Sequence, residues 1–149
     1  VSTFGNPWAW MLRFDVGDLV RVRPGAREGG LIAESVEGRA ANATFTTSGG
    51  LVTTAMADRA LAAIPGIRDY DLGQSAEKRY VLRLKLGPDA PDAEGAAREI
   101  LRKLYGEDGS FSVTAVRDLL PGPSGKYRRT HAHAPFDEWA LTERRPPRV

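Results

Sequence analysis

YVLRLKLGPDAPDAEGAAREILRKLYGEDGSFSVTAV, residues 80–116, changes its apolar period twice. At its start Tyr80, Leu82, Leu84 and Leu86 fall on one face and Arg83 and Lys85 on the other, the two-residue period of a strand buried on one side. From Asp92 to Tyr105 the period becomes helical and gathers Ala93, Ala97, Ile100, Leu101 and Leu104 on one stripe, with Gly106 as the stop. Phe111 to Val116 is extended again.

Upstream, Ile67 to Gly73 reads as another strand, entered from Pro65-Gly66. Ahead of that turn a helix is expected from a cap at Thr53 or Thr54 through Ala63, with Ala57, Ala60, Leu61 and Ile64 on its apolar face. Ala43 to Thr47 and Leu51 to Thr53 flank Ser48-Gly49-Gly50, a hairpin-like loop. From residue 43 the order is β-α-β-β-α-β, the split arrangement of a ferredoxin-like domain, so the expected class is α+β. Nearer the start, Leu12–Arg23 and Leu31–Val36 lie either side of Pro24-Gly25 and Gly29-Gly30 and predict a small antiparallel ribbon. Glu37-Gly38-Arg39-Ala40-Ala41-Asn42 breaks the pattern and is the expected boundary between ribbon and domain. Val1 to Trp10 reads as a joining stretch and residues 134–149 as a tail, with Trp8, Trp10 and Trp139 expected to pack rather than bind.

Composition excludes several classes. The 149 residues are 42% hydrophobic and 27% charged, which suits one domain with a small subdomain. No apolar run approaches the roughly 18 residues of a membrane helix, and no basic start leads into an apolar segment, so neither a membrane partner nor a signal peptide is expected. There is no Cys, which excludes disulfides, thiol nucleophiles and Cys-based zinc sites and makes the cytoplasm the expected compartment. Lys+Arg number 21 against 19 Asp+Glu, interleaved along the chain without a basic stripe, so no nucleic-acid partner is expected.

Gly122-Pro123-Ser124-Gly125-Lys126-Tyr127-Arg128-Arg129 is the most informative short segment, because two glycines bracket a turn that leaves a Lys at its tip. It is not a Walker loop: Tyr127 stands where the magnesium-binding hydroxyl belongs and the upstream Gly spacing is wrong. Asp18, where a turn enters a strand, can accept two hydrogen bonds from a vicinal diol or serve as a turn carboxylate. Arg39 is a candidate nucleotide contact or a solvated charge. His131 and His133 would face one side of an extended strand, with Asp137 and Glu138 beyond, but no third ligand has a convincing spacing and no metal site is expected. No GxSxG elbow is present.

In order, these segments resemble the C-terminal part of the adenylate-forming superfamily, and within it phenylacetate–CoA ligase-like proteins. LRFDVGDLV, residues 12–20, is similar to the family's aromatic-x-x-Gly-Asp segment. The resemblance gives Asp18 the ATP ribose and, through Gly38-Arg39, gives Arg39 a nucleotide contact at a hinge spanning 38–42. Ser48-Gly49-Gly50 resembles the loop that lines a pantetheine tunnel, assigning Gly49 and Gly50 to the thiol acceptor. Gly125-Lys126-x-x-Arg129 matches the closing motif, whose Lys stabilises charge during adenylate formation, so Lys126 becomes the catalytic residue. The family would make residues 1–37 the end of an N-terminal domain and 43–133 its lid. It implies ATP and CoA (or a carrier-protein thiol) as cofactors, Mg bound outside this chain, an aryl acid as substrate, and a large N-terminal adenylation domain as partner. Two departures stand out. Ala40-Ala41-Asn42 replaces the usual acidic or Lys hinge residue, and Ser48 the basic residue common before the Gly loop.

Overall fold

The computed structural model describes residues 17–26, 30–90, 92–122 and 125–133. Expectations for Leu12–Val16, Trp8, Trp10, Trp139, Pro123, Ser124, Asp137, Glu138 and the 134–149 tail lie outside them. Strand β1 (Asp18–Pro24) pairs antiparallel with β2 (Leu31–Arg39) as the expected ribbon. Pairing runs past the predicted end at Val36, because register shifts between Leu19/Val20 and Arg21/Val22 let Gly38 and Arg39 stay opposite Leu19 and Asp18. Such bulges absorb an irregular backbone without ending a ladder. A 3-10 turn, Ala40–Asn42, follows.

Next come β3 (Thr44–Phe45), β4 (Leu51–Val52), α1 (Thr54–Leu61), β5 (Ile67–Ala76), β6 (Arg79–Leu86), α2 (Ala93–Tyr105), β7 (Ser110–Val116) and β8 (Thr130–Ala132). Thr53 is the cap of α1, its hydroxyl accepting from Met56 N at 3.2 Å. The helix stops at Leu61 rather than Ala63. Beyond it Gly66 takes φ +84°, and a side chain there would collide with Ala90.

Four strands form one mixed sheet in the order β7-β6-β5-β8. β5 and β6 are antiparallel, while β7 runs parallel to β6 and β8 parallel to β5. The helices cover one face. Leu72, Leu82, Leu84 and Leu101 are wholly buried between sheet and helices, joined by Ala57, Leu61, Ala97 and Tyr105. On the outer side of edge strand β7, Ala115 N donates to Glu94 Oε1 of α2 at 2.7 Å.

Two features differ from the sequence reading. Among the described residues, the strands flanking the Gly49-Gly50 loop pair only with each other. Isolated bonds, not a ladder, hold that hairpin: Phe45 N donates to Gln74 Oε1 at 2.8 Å, Tyr80 OH donates to Phe45 O at 2.7 Å, the Thr44 and Tyr105 hydroxyls bond at 2.7 Å, and Thr47 N donates to Tyr105 O at 2.7 Å. The place beside β5 belongs instead to β8, three residues beyond the Gly-Lys turn. The chain therefore leaves the sheet at one edge after Val116 and re-enters it at the other at Thr130.

Candidate functional site

Alternation along β5 buries Tyr70, Leu72 and Gln74 on the helix side and leaves Asp69 and Asp71 on the opposite face. Asp71 stands across from Arg83 of β6, whose Nη1 lies 3.0 Å from Asp71 Oδ2. From the other side comes His131 of β8, in register with Gly73. A side chain at Gly73 would come within 2.7 Å of His131 Nε2, so its absence makes the groove in which the imidazole lies. Nδ1 then reaches 3.2 Å from Asp71 Oδ1, off the line of a good hydrogen bond. Oδ1 is buried without a well-aligned donor, and the His131 imidazole is the group that faces it. His131, more than Arg83, holds the Asp71 carboxyl below the usual carboxylate range against the opposing pull of burial.

The crossing segment roofs this face. Lys85 Nζ ties to Asp118 Oδ1 at 2.8 Å near its start. At its end Arg129 is fixed more firmly. Its guanidinium lies 3.2 Å from Asp58 Oδ1 of α1 and 3.3 Å from Asp69 Oδ1 of β5, over the Tyr70 ring at 6.0 Å, and its carbonyl accepts from Leu72 N at 2.8 Å. Tyr70 OH donates to the same Asp58 oxygen at 2.7 Å, and burial together with that carboxylate pushes the phenol's ionisation far up. Between these anchors Gly125 adopts φ +72°, Gly125 N bonds Gly122 O at 2.9 Å, and Gly122 N bonds Lys126 O at 3.1 Å. The closed turn presents Lys126 to solvent, and among the described residues no carboxylate pairs with its ammonium. Asp71, Arg83, Lys126, Arg129 and His131, with Leu119, Leu120 and Pro121, line a cleft of about 880 Å³.

The other predicted residues lie elsewhere. Asp18 and Arg39 are brought together across the ribbon, Nε to Oδ1 at 3.2 Å, but neither lines the Lys126 cleft. Gly49, at φ +86°, and Gly50, whose N–H donates to Thr46 Oγ1 at 2.8 Å, form the tip of the hairpin. Gly49 borders a smaller pocket of about 290 Å³ with Phe45, Gln74, Ala76 and His133. Ala132 of β8 lines both cavities, so this short strand is the wall between them. Of the two histidines expected to face one side, His131 lines the larger cleft and His133, beyond the end of β8, borders the smaller pocket. Among the described residues no group of three metal-ligating side chains occurs.

The Asp71–His131 contact was missed by the sequence reading. The strand alternation carried half of the signal, since it sets Asp71 opposite the helix-packed face, but nothing local brings residue 131 there. No family model matches the sequence, and no curated protein matches it either.

Proposed function

We propose that this chain is the mobile C-terminal lid of an AMP-forming carboxylic acid–CoA ligase-like enzyme, with Lys126 as its catalytic group. The observation that carries the reading is an ammonium that no carboxylate among the described residues pairs with, on a glycine-bounded turn anchored behind by Arg129, at the rim of a cleft. On this reading the order α1-β5-β6-α2-β7 is the body of a ferredoxin-like lid, and residues 38–42 are its hinge. A large N-terminal adenylation domain, on the same polypeptide or a separate subunit, holds the acid, Mg and most of the ATP.

Attack of a carboxylate oxygen on the ATP α-phosphorus forms the acyl adenylate as the bond to pyrophosphate breaks, and negative charge builds on the phosphate oxygens on the way. A pre-positioned ammonium in a site closed to water stabilises that charge as it develops, typically by about 3–4 kcal/mol. Asp18 and Arg39 would hold the ribose and orient the α-phosphate for in-line attack. Rotation about the hinge then withdraws Lys126 and brings the Gly49-Gly50 loop to the pantetheine arm of CoA or a carrier protein. The substrate is read as an aryl acid through the resemblance alone.

In the polypeptide or complex containing the large domain, Lys126→Ala should lower ATP–pyrophosphate exchange by roughly 10²–10³-fold while leaving the melting temperature unchanged. Unchanged exchange in that variant overturns the assignment, as does robust exchange by these 149 residues alone. One feature favours a second reading, a free-standing ferredoxin-like binding module. Asp18 is already engaged by Arg39, so a ribose diol must displace that guanidinium. A native polypeptide of 16.2 kDa with no adenylating partner would support the module.

A further inference from the structure

Glu37 is the last residue before the proposed hinge, and only 5% of its surface is exposed. A buried carboxylate is costly unless each oxygen is matched by donors. Its two oxygens are matched from different directions. Oε1 takes Ser35 Oγ at 2.7 Å and Arg21 Nε at 3.2 Å, both from the ribbon. Oε2 takes Thr53 Oγ1 at 3.2 Å and Arg59 Nη2 at 3.1 Å, both from beyond the hinge, at the cap and in the body of α1. Gly38, at φ +118°, lets the chain pass so close to α1 that a side chain there would come within 3.1 Å of Thr54. One carboxylate thus straddles residues 38–42.

We infer that Glu37 is a latch across the hinge, holding the domain that carries Lys126 in one orientation relative to the ribbon. The inference rests on the lid reading for its purpose but not for its geometry. Gly38 and Arg39 pair within the ribbon, so rotation falls at Ala40–Asn42, where it separates Oε2 from Thr53 and Arg59 and strips a buried oxygen of both donors. The orientation seen is therefore a discrete state rather than one point in a continuum, and leaving it requires replacement donors, either water or groups from a partner domain. Arg21 and Arg59 make equivalent ion pairs, yet only Arg59 crosses the hinge, which separates the latch from ordinary stabilisation.

The absence of cysteine permits a direct test. Cysteines placed at Val22 and Lys103, both exposed, carry spin labels whose separation reports the ribbon–domain distance by pulsed electron resonance. The parent pair should give a single narrow distance. Arg59→Ala and Glu37→Gln should each add a second distance holding more than ~10% of molecules, above the minor-state populations usual for a resting two-state protein. Arg21→Ala should leave the narrow distribution, with circular dichroism establishing that each variant is folded. A narrow distribution in folded Arg59→Ala and Glu37→Gln overturns the latch, and so does an Arg21→Ala distribution as broad as that of Arg59→Ala. Neither measurement involves catalysis, so a working latch with failed adenylation chemistry, or the reverse, would be read separately.

Discussion

Arg129 shows how a single side chain can matter through what it steadies. It reaches two carboxylates on different elements, Asp58 of α1 and Asp69 of β5, and covers a tyrosine ring. A planar fork can make that bridge and a point charge cannot. Half-exposed ion pairs contribute little each, so Arg129→Ala should cost only about 1 kcal/mol in urea unfolding. Its larger effect should be local: backbone amides from Gly125 to Arg128 should lose order in NMR relaxation, and Arg129→Lys should not restore them. Unchanged relaxation in Arg129→Ala would mean that the turn is held by its own glycine geometry. Nearby, Gly73 acts by what it lacks, since any side chain there would push His131 off Asp71. Neither role can be read from composition or spacing, because both depend on β8 lying beside β5.

Helix α2 and strand β6 were legible in the sequence for a physical reason. Each buries one face against a single neighbour layer, so burial imprints a clean period on the residues. Leu101, fully buried where α2 meets the sheet, should cost about 2–5 kcal/mol on truncation to Ala, measured by denaturant unfolding. The hairpin β3–β4 and strand β8 left a weaker imprint. With two or three residues each they are too short to carry a period, and the hairpin is held by Tyr80, Gln74 and Tyr105 from distant stretches of chain. The same distinction applies to the site. Lys126 is legible from its local glycine turn, Asp18 from the Gly-Asp turn entering β1 and Arg39 from its place beside Gly38, whereas the ribbon register that joins Asp18 to Arg39 is not. The cleft around Lys126 is assembled from residues some sixty apart along the chain, such as Asp71 and His131, and no local pattern contains it.

For the molecule as a whole, the junction of ribbon and domain is one source of acid sensitivity, beside Asp71 and Asp108, which are also held below the usual carboxylate range. Hydrogen bonds from Ser35 and Arg59, with Arg21 adding to them, hold the Glu37 carboxyl at about 2 against an ordinary 4.5. A depressed acid stabilises the fold at any pH above its unfolded value and loses that contribution as pH falls through the folded one. Stability should therefore decline between about 4.5 and about 2 as this group protonates, with Arg21, Arg59, Ser35 and Thr53 left facing a neutral acid. Glu37→Gln should flatten that part of the curve, read as urea midpoints across the window, and an undiminished slope would place the acid sensitivity in other carboxylates. A different consequence follows from the bond between Glu94 and Ala115 on the outer side of β7. A sheet that ends in an open strand offers its unmade hydrogen bonds to any second copy that drifts alongside. By occupying one of those donors with a carboxylate, α2 makes that edge a poor template, so an ordinary helix residue also serves colloidal stability, keeping crowded copies of the protein from stacking edge to edge.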